Sequence, residues 1–412
     1  MPYILSVFQT LKKQYPTWND LYQKFFIEMY GNLRLITFED NHRYVIIRYE
    51  KGKSDFSVPE VPYFRSVVWD TQLNVPVCVA PIKSNVVPSS VNIQDVKGPA
   101  IIEEYIEGTM VNVFRAAGES AQLTTRTKLG ANTKFYSQKT FKELFEDALT
   151  VNKLTLDGLA KEFESIHDSE VEIGSHFGSF VLQHPEHHVV QSIDEPKLSV
   201  VFCGLVEKDG TVVIFDESDE WSSPTLKRLA IPTYGVLSPS ETVTERVNTL
   251  SHQKHASWQG LMFRRIGGFE PETRIRIRTF SYITLRNLRG SEASIVGRFL
   301  RVRRQGVLRD YLYNYPKDSS AFTELETQFR EFTLALYKEY CAVFKEKSKA
   351  LKDTDIEIRS ILWILHGIYL NNCRPANKTM KMPIVISYVN NMSVEEQEAL
   401  VYYHKNKSIQ VY

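Results

Sequence analysis

The stretch Ile101–Phe114, IIEEYIEGTMVNVF, together with Gln122–Lys128, QLTTRTK, decides how the chain is read. An apolar run, a Glu107-Gly108 turn, a second apolar alternation and a Ser/Thr/Arg-rich run predict a β-hairpin. The pattern suggests a ligand-facing floor and a nucleotide pocket.

Working outward, Leu33–Phe38 and Tyr44–Tyr49 read as strands separated by the turn-forming Glu39-Asp40-Asn41. Two further strand pairs read as 65–70 with 77–83, and 198–205 with 210–215 around Lys208-Asp209-Gly210. Phe141–Leu149, Leu156–Ile166 and Thr242–Ser251 carry apolar residues at helical spacing and read as helices, the first two covering the sheet. Residues 1–30 form a helical segment broken at Pro16-Thr17-Trp18, with Leu5, Phe8, Leu11, Leu21, Phe25 and Met29 as core positions. Residues 31–290 make one β-rich domain. From 291 to 412 the pattern is helical throughout.

Composition sets limits. The chain has 412 residues, 43% of them hydrophobic, enough for a large core and more than one domain. Its formal net charge is +1, so a nucleic-acid site must be a local basic surface. Cys78, Cys203, Cys341 and Cys373 lie far apart, with no CxxC spacing that would hold zinc, and fit a reducing compartment. There is no apolar run of membrane-spanning length and no basic, cleavable leader at the start, so the expected location is cytoplasmic, without membrane contact. His184, His187 and His188 are close enough to be weighed as metal ligands. No recognisable four-ligand spacing accompanies them, so loop histidines at a Pro turn are the reading adopted, with no metal.

Tyr105-Ile106-Glu107-Gly108 and the segments around it resemble the covalent nucleotidyltransferases, in particular the RNA ligase family typified by RNA ligase 1 of phage T4. The likeness runs over about residues 60–290. It implies an α+β fold: an antiparallel, β-rich nucleotidyltransferase (ligase adenylylation) domain with a C-terminal all-α domain. In that family a Lys-x-Asp-Gly tetrad carries the lysine that becomes adenylylated; here Tyr105 stands in its place. Gly174–Val190 resembles the family segment whose glutamate binds ribose or metal, and, anchored on Phe180 and Pro185, that position is Val181. Ser257–Arg264 resembles the strand whose glutamate holds the catalytic metal, and that position is Gln259.

The phosphate-contacting positions of the family match Arg65, Lys83, Arg276 and Arg278, beside Glu107 and Gly108 of the tetrad. The resemblance thus implies a pseudoenzyme: an RNA-ligase-like protein that has kept the strand frame and lost the nucleophile and both acidic ligands. Such a protein needs no cofactor and serves as a binding, structural or assembly component, and the versions of this architecture in large DNA viruses imply a viral protein and a place in the virion. The alternative is an active ATP- and Mg-dependent RNA ligase using another lysine, Lys83 or Lys128. RNA and other virion or assembly proteins are the expected partners. Arg298, Arg301, Arg303 and Arg304 form a basic run that reads as a nucleic-acid-binding face.

Overall fold

The computed structural model describes residues 2–86, 99–135, 137–165, 172–215, 221–237, 241–266 and 273–410. Contacts divide the chain into a first unit, Met1–Arg286, and a second, Asn287–Tyr412. Antiparallel sheets dominate the first and helices make up the second, the α+β arrangement expected from the sequence.

In chain order the strands are β1 (Tyr3–Leu5), β2 (Arg34–Phe38), β3 (Asn41–Arg48), β4 (Val67–Asp70), β5 (Val75–Cys78), β6 (Asn85–Val86), β7 (Ala100–Glu104), β8 (Thr109–Ala116), β9 (Gln122–Thr124), β10 (Ile173–Gln183), β11 (Lys197–Glu207), β12 (Val212–Phe215), β13 (Thr233–Val236), β14 (Gly260–Arg265) and β15 (Arg274–Arg278). They form a six-stranded sheet, β1-β12-β11-β10-β8-β9, a five-stranded sheet, β13-β7-β14-β15-β6, and a four-stranded sheet, β2-β3-β4-β5.

The period of two sorts the six-stranded sheet's side chains. Val111, Val113, Phe180 and Leu182 pack with Leu144, Phe145, Leu159 and Phe163 of the helices Phe141–Val151 and Leu156–Glu164. Phe114, Phe177 and Val181 turn to the opposite face and join Phe8, Phe25, Ile46, Phe64 and Trp69. The five-stranded sheet buries Ile102, Leu261, Phe263, Ile275 and Ile277 against Val243 and Val247 of the helix Val243–Ser251.

The central expectation of a hairpin at Glu107-Gly108 is corrected. β7 pairs with β13 and β14, whereas β8 pairs with β9 and β10, so residues 105–108 carry the chain from one sheet to the next. A two-residue hairpin turn wants left-handed backbone, and Gly108 is not among the glycines with positive φ. Its lack of a Cβ serves a close approach instead, since a Cβ there would lie 2.5 Å from the Leu182 carbonyl oxygen. The hairpin partner of β8 is β9, which ends at Thr124; Arg126–Lys128 bend out of the ladder.

The first 30 residues differ from a purely helical segment. β1 adds an edge strand on β12, and Phe8, Leu11, Leu21 and Phe25 are buried in the first unit's core. Met29 is 54% exposed because its left-handed backbone, φ 59°, turns it away from that core.

Gly260 starts β14 at φ 137°, and a Cβ there would fall 2.1 Å from the Ile277 carbonyl oxygen. Gly260→Ala therefore forces the β14–β15 ladder apart. The expected loss is on the order of 3 kcal/mol, read as a fall of roughly 5–10 °C in melting temperature.

Candidate nucleotide-binding cleft

β7, β14 and β15 place Glu103, Met262, Arg274 and Arg276 opposite Met110, Val181 and Val201 of the six-stranded sheet, with Arg65, Ser84, Tyr105 and Ile231 closing the sides. The enclosed cleft has an empty volume of about 450 Å³, counting its solvent-filled mouth. Alternation explains the lining: in Arg274-Ile275-Arg276-Ile277-Arg278 the isoleucines enter the core while the arginines share the other face. Val201 reaches the cleft because the β10–β11 register skips one residue there, a β-bulge.

Tyr105 stands at the seam between the sheets. Its backbone N–H donates to the Gly260 carbonyl at 3.0 Å. Its hydroxyl accepts from Arg278 Nη2 at 3.1 Å, and the Arg278 guanidinium lies 5.4 Å from its ring centroid. Arg278 is thereby turned to Tyr105 and Tyr282 and does not line the cleft; Arg274 takes the position beside Arg276. The same i, i+2 spacing that singled out Arg276 and Arg278 could have found Arg274.

The two carboxylates in the lining are engaged. Glu103 Oε1 accepts from Arg264 Nε at 2.9 Å in a buried pair, and Glu104 Oε2 accepts from the Tyr234 hydroxyl at 2.9 Å. Arg65 Nη1 has a long contact of 3.4 Å to the Pro81 carbonyl. Burial holds this guanidinium below its ordinary pKa, and the positive charges of Arg126 and Arg276 push the same way. Arg276 Nε is buried without a hydrogen-bond partner among the described residues. The arrangement is an apolar floor with under-neutralised arginines above it, which suits a phosphorylated planar ligand.

Several expected site residues lie elsewhere. Glu107 is 7% exposed, and its carboxylate accepts from the backbone N–H groups of Val189, Val190 and Gln191 at 2.8, 2.9 and 3.2 Å. It ties the crossover after β7 to residues 189–191 and is not part of the cleft lining. Gly108 serves the close approach to Leu182 described above. Gln259 is buried beside Gly260 but outside the lining, and its carbonyl accepts from the Thr279 N–H at 3.0 Å. Lys83 Nζ sits 3.9 Å from the Phe56 ring centroid and Lys128 Nζ 5.6 Å from that of Phe38. No lysine lines the cleft among the described residues.

His184 Nδ1 accepts from the Glu186 N–H at 3.1 Å, its Nε2 faces Asp147 Oδ2 at 3.2 Å, and His188 Nδ1 meets the Pro185 carbonyl at 2.9 Å. These are contacts of a structural turn. Among the described residues no group of three or more His, Cys, Asp or Glu side chains gathers as a metal site. No described helix is long and apolar enough to cross a membrane.

Most of the basic run of the second unit is engaged by carboxylates, against expectation. Arg298 is 7% exposed and pairs with Asp318 at 3.2 Å; Arg301 pairs with Glu292 at 2.8 Å and also donates to the Leu288 and Arg289 carbonyls. Arg303 pairs with Glu326 at 3.3 Å and lies over the Phe329 ring. Arg304 is exposed, with a long contact to the Met392 carbonyl. Asp318, Glu292 and Glu326 thus neutralise Arg298, Arg301 and Arg303.

No protein-family model matches the chain, and no curated protein matches its sequence. Similarities do exist among solved structures. An Aquifex aeolicus protein assigned as an ATP-dependent DNA ligase is 12% identical, with 80% of this chain and 77% of that one covered and a TM-score of 0.40. An archaeal ATP-dependent RNA ligase is 12% identical over 79% of this chain and 76% of that one, TM-score 0.40. A mutant RNA ligase of Naegleria gruberi with ATP and Mn is 11% identical over 50% of this chain and 58% of that one, TM-score 0.33.

Two substitutions test these assignments. Glu107→Gln replaces a carboxylate facing three donors by an amide that brings donors of its own, and should destabilise the first unit by on the order of 2 kcal/mol in thermal melts. Arg298→Ala leaves Asp318 without its cation and should cost on the order of 2 kcal/mol, with no change in RNA affinity in a filter-binding titration.

Proposed function

We propose that this protein is an RNA-ligase-like nucleotidyltransferase relic that binds a phosphorylated nucleotide in the cleft and does not form the lysine adduct. The observation that carries this reading is the makeup of the cleft itself: Tyr105 at its head, Arg65 and Arg276 in its lining, and no lysine among its described residues. A neutral phenol, with a reference pKa near 10, is a poor nucleophile at neutral pH. Hydrogen-bonded to Arg278, it is a fixed wall against which a base or ribose can rest.

A divalent ion does not fit this lining. Val181 offers no ligand, Gln259 lies outside, and Glu103 and Glu104 are committed to Arg264 and Tyr234; hard cations require free carboxylate oxygens. The reading therefore contains no metal-dependent step. Binding, with a role as an adaptor or assembly component, is the function it assigns, and a place in a virion belongs to the same proposal. The alternative of an active ligase using Lys83 or Lys128 has no support in the positions of those ammonium groups over Phe56 and Phe38.

The test is incubation with α-labelled ATP or GTP and Mg or Mn, followed by a denaturing gel, alongside thermal melts with millimolar AMP. The expected results are no labelled protein, Tyr105→Lys equally silent, and an AMP-induced rise in melting temperature that Arg276→Gln removes. A labelled band abolished by Lys83→Ala would make the protein an enzyme; absence of any AMP shift would remove the nucleotide from the cleft.

A further inference from the structure

The helix Ile356–Ile368 of the second unit is apolar on two opposite faces. Ile358, Ile361, Leu362 and Leu365 are buried in the core of that unit. The other face carries Ile356, Trp363 and Ile364, exposed to 73, 59 and 50%. The chain continues through the π-helical turn Tyr369–Cys373, where Leu370 is 40% exposed. A helix that is apolar all round is ordinarily enclosed, and this outer stripe has no cover among the described residues.

The spacing along the stripe points to its partner. Ile356, Ser360, Trp363 and Gly367 follow one another at intervals of four, three and four residues, so they form one seam in which large and small side chains alternate. Nothing lies within 4 Å of where a Gly367 Cβ would stand, which leaves an open notch in the seam. A copy of this helix turned antiparallel, about a two-fold axis between Ile361 and Leu362, puts Ile356 opposite Gly367 of the copy and Ser360 opposite its Trp363. Each bulky side chain then enters a gap, as ridges enter grooves where helices pack. One patch complements itself, which is what a two-fold interface requires.

Charge selects the same orientation. Asp353 and Glu357 are exposed at the start of the helix, where Arg359 spends its guanidinium on the carbonyls of Lys352 and Thr354 at 2.9 and 2.8 Å. After Glu357 no Asp or Glu occurs before Glu395, whereas Arg374, Lys378 and Lys381 are exposed beyond the helix end. An antiparallel pair lays the acidic start of each helix beside the basic end of the other; a parallel pair sets like charges together.

We propose that two copies of this chain pair through the outer face of the helix Ile356–Ile368, antiparallel, with Trp363 as the central anchor. None of these residues lines the cleft, so the surface is independent of the nucleotide site. One helix from each copy buries about 1,000 Å² in total, the low end for a specific interface, so pairing is reversible at roughly micromolar concentrations.

The experiment is sedimentation velocity of the full chain across roughly 1 to 200 μM, with thermal melts of every variant. The expected result is a monomer that gives way to a dimer and to nothing larger, because a two-fold contact closes on itself. Trp363→Ala should weaken association on the order of tenfold or more. Gly367→Leu fills the notch and should abolish pairing, although leucine is the better helix former and leaves the fold at least as stable. Asp353→Lys with Glu357→Lys should weaken pairing, and adding Arg374→Glu with Lys378→Glu should restore it. A dimer that neither Trp363→Ala nor Gly367→Leu weakens overturns the proposal by placing the interface elsewhere. A chain that stays monomeric throughout also overturns it: flotation of that monomer with phosphatidylcholine–phosphatidylserine vesicles, lost in Trp363→Ala, gives the face to a membrane surface, and no flotation leaves it to a different protein.

Discussion

One buried carboxylate organises the first unit. Glu107 takes three consecutive backbone N–H groups, those of Val189, Val190 and Gln191, and so ties the crossover between two sheets to the segment that leaves β10. Charge-assisted hydrogen bonds to backbone amides are each stronger than neutral ones, and here they satisfy donors that would otherwise be buried and unpaired. With the crossover fixed, Tyr105 has one place to be. Gly108 then passes against Leu182 where no side chain would fit, and the cleft forms between the sheets that residues 105–108 connect.

Arginine is used in two ways in this chain, and burial with partner supply separates them. In the second unit Arg298, Arg301 and Arg303 meet Asp318, Glu292 and Glu326, so their charge is spent on helix packing. Removing one member of such a pair is costly mainly because the other is left behind. In the first unit Arg264 is neutralised by Glu103 in the same manner, whereas Arg65 and Arg276 have like charge for neighbours. An arginine opposite a carboxylate is neutralised in place; arginines beside one another keep their charge.

Tyr105 is held in place by Arg278 and presents a planar, neutral surface at the edge of the cleft. Val181 offers methyl groups to the same lining.

The sequence by itself determined what depends on near neighbours. The period of two in Arg274–Arg278 put the arginines on one face, and helical spacing placed Leu144, Phe145 and Ala148 inward. What it could not settle were partners distant along the chain. The apparent hairpin at Glu107-Gly108 became a crossover because amides some 82 residues away claim the carboxylate. In the basic run, Arg298 and Arg303 are turned inward because Asp318 and Glu326 meet them from further along the chain, while Arg304 stays exposed. Spacing fixes which face a side chain occupies; only tertiary structure decides what that face meets, because the free energy of a buried charge is set by its neighbours in space.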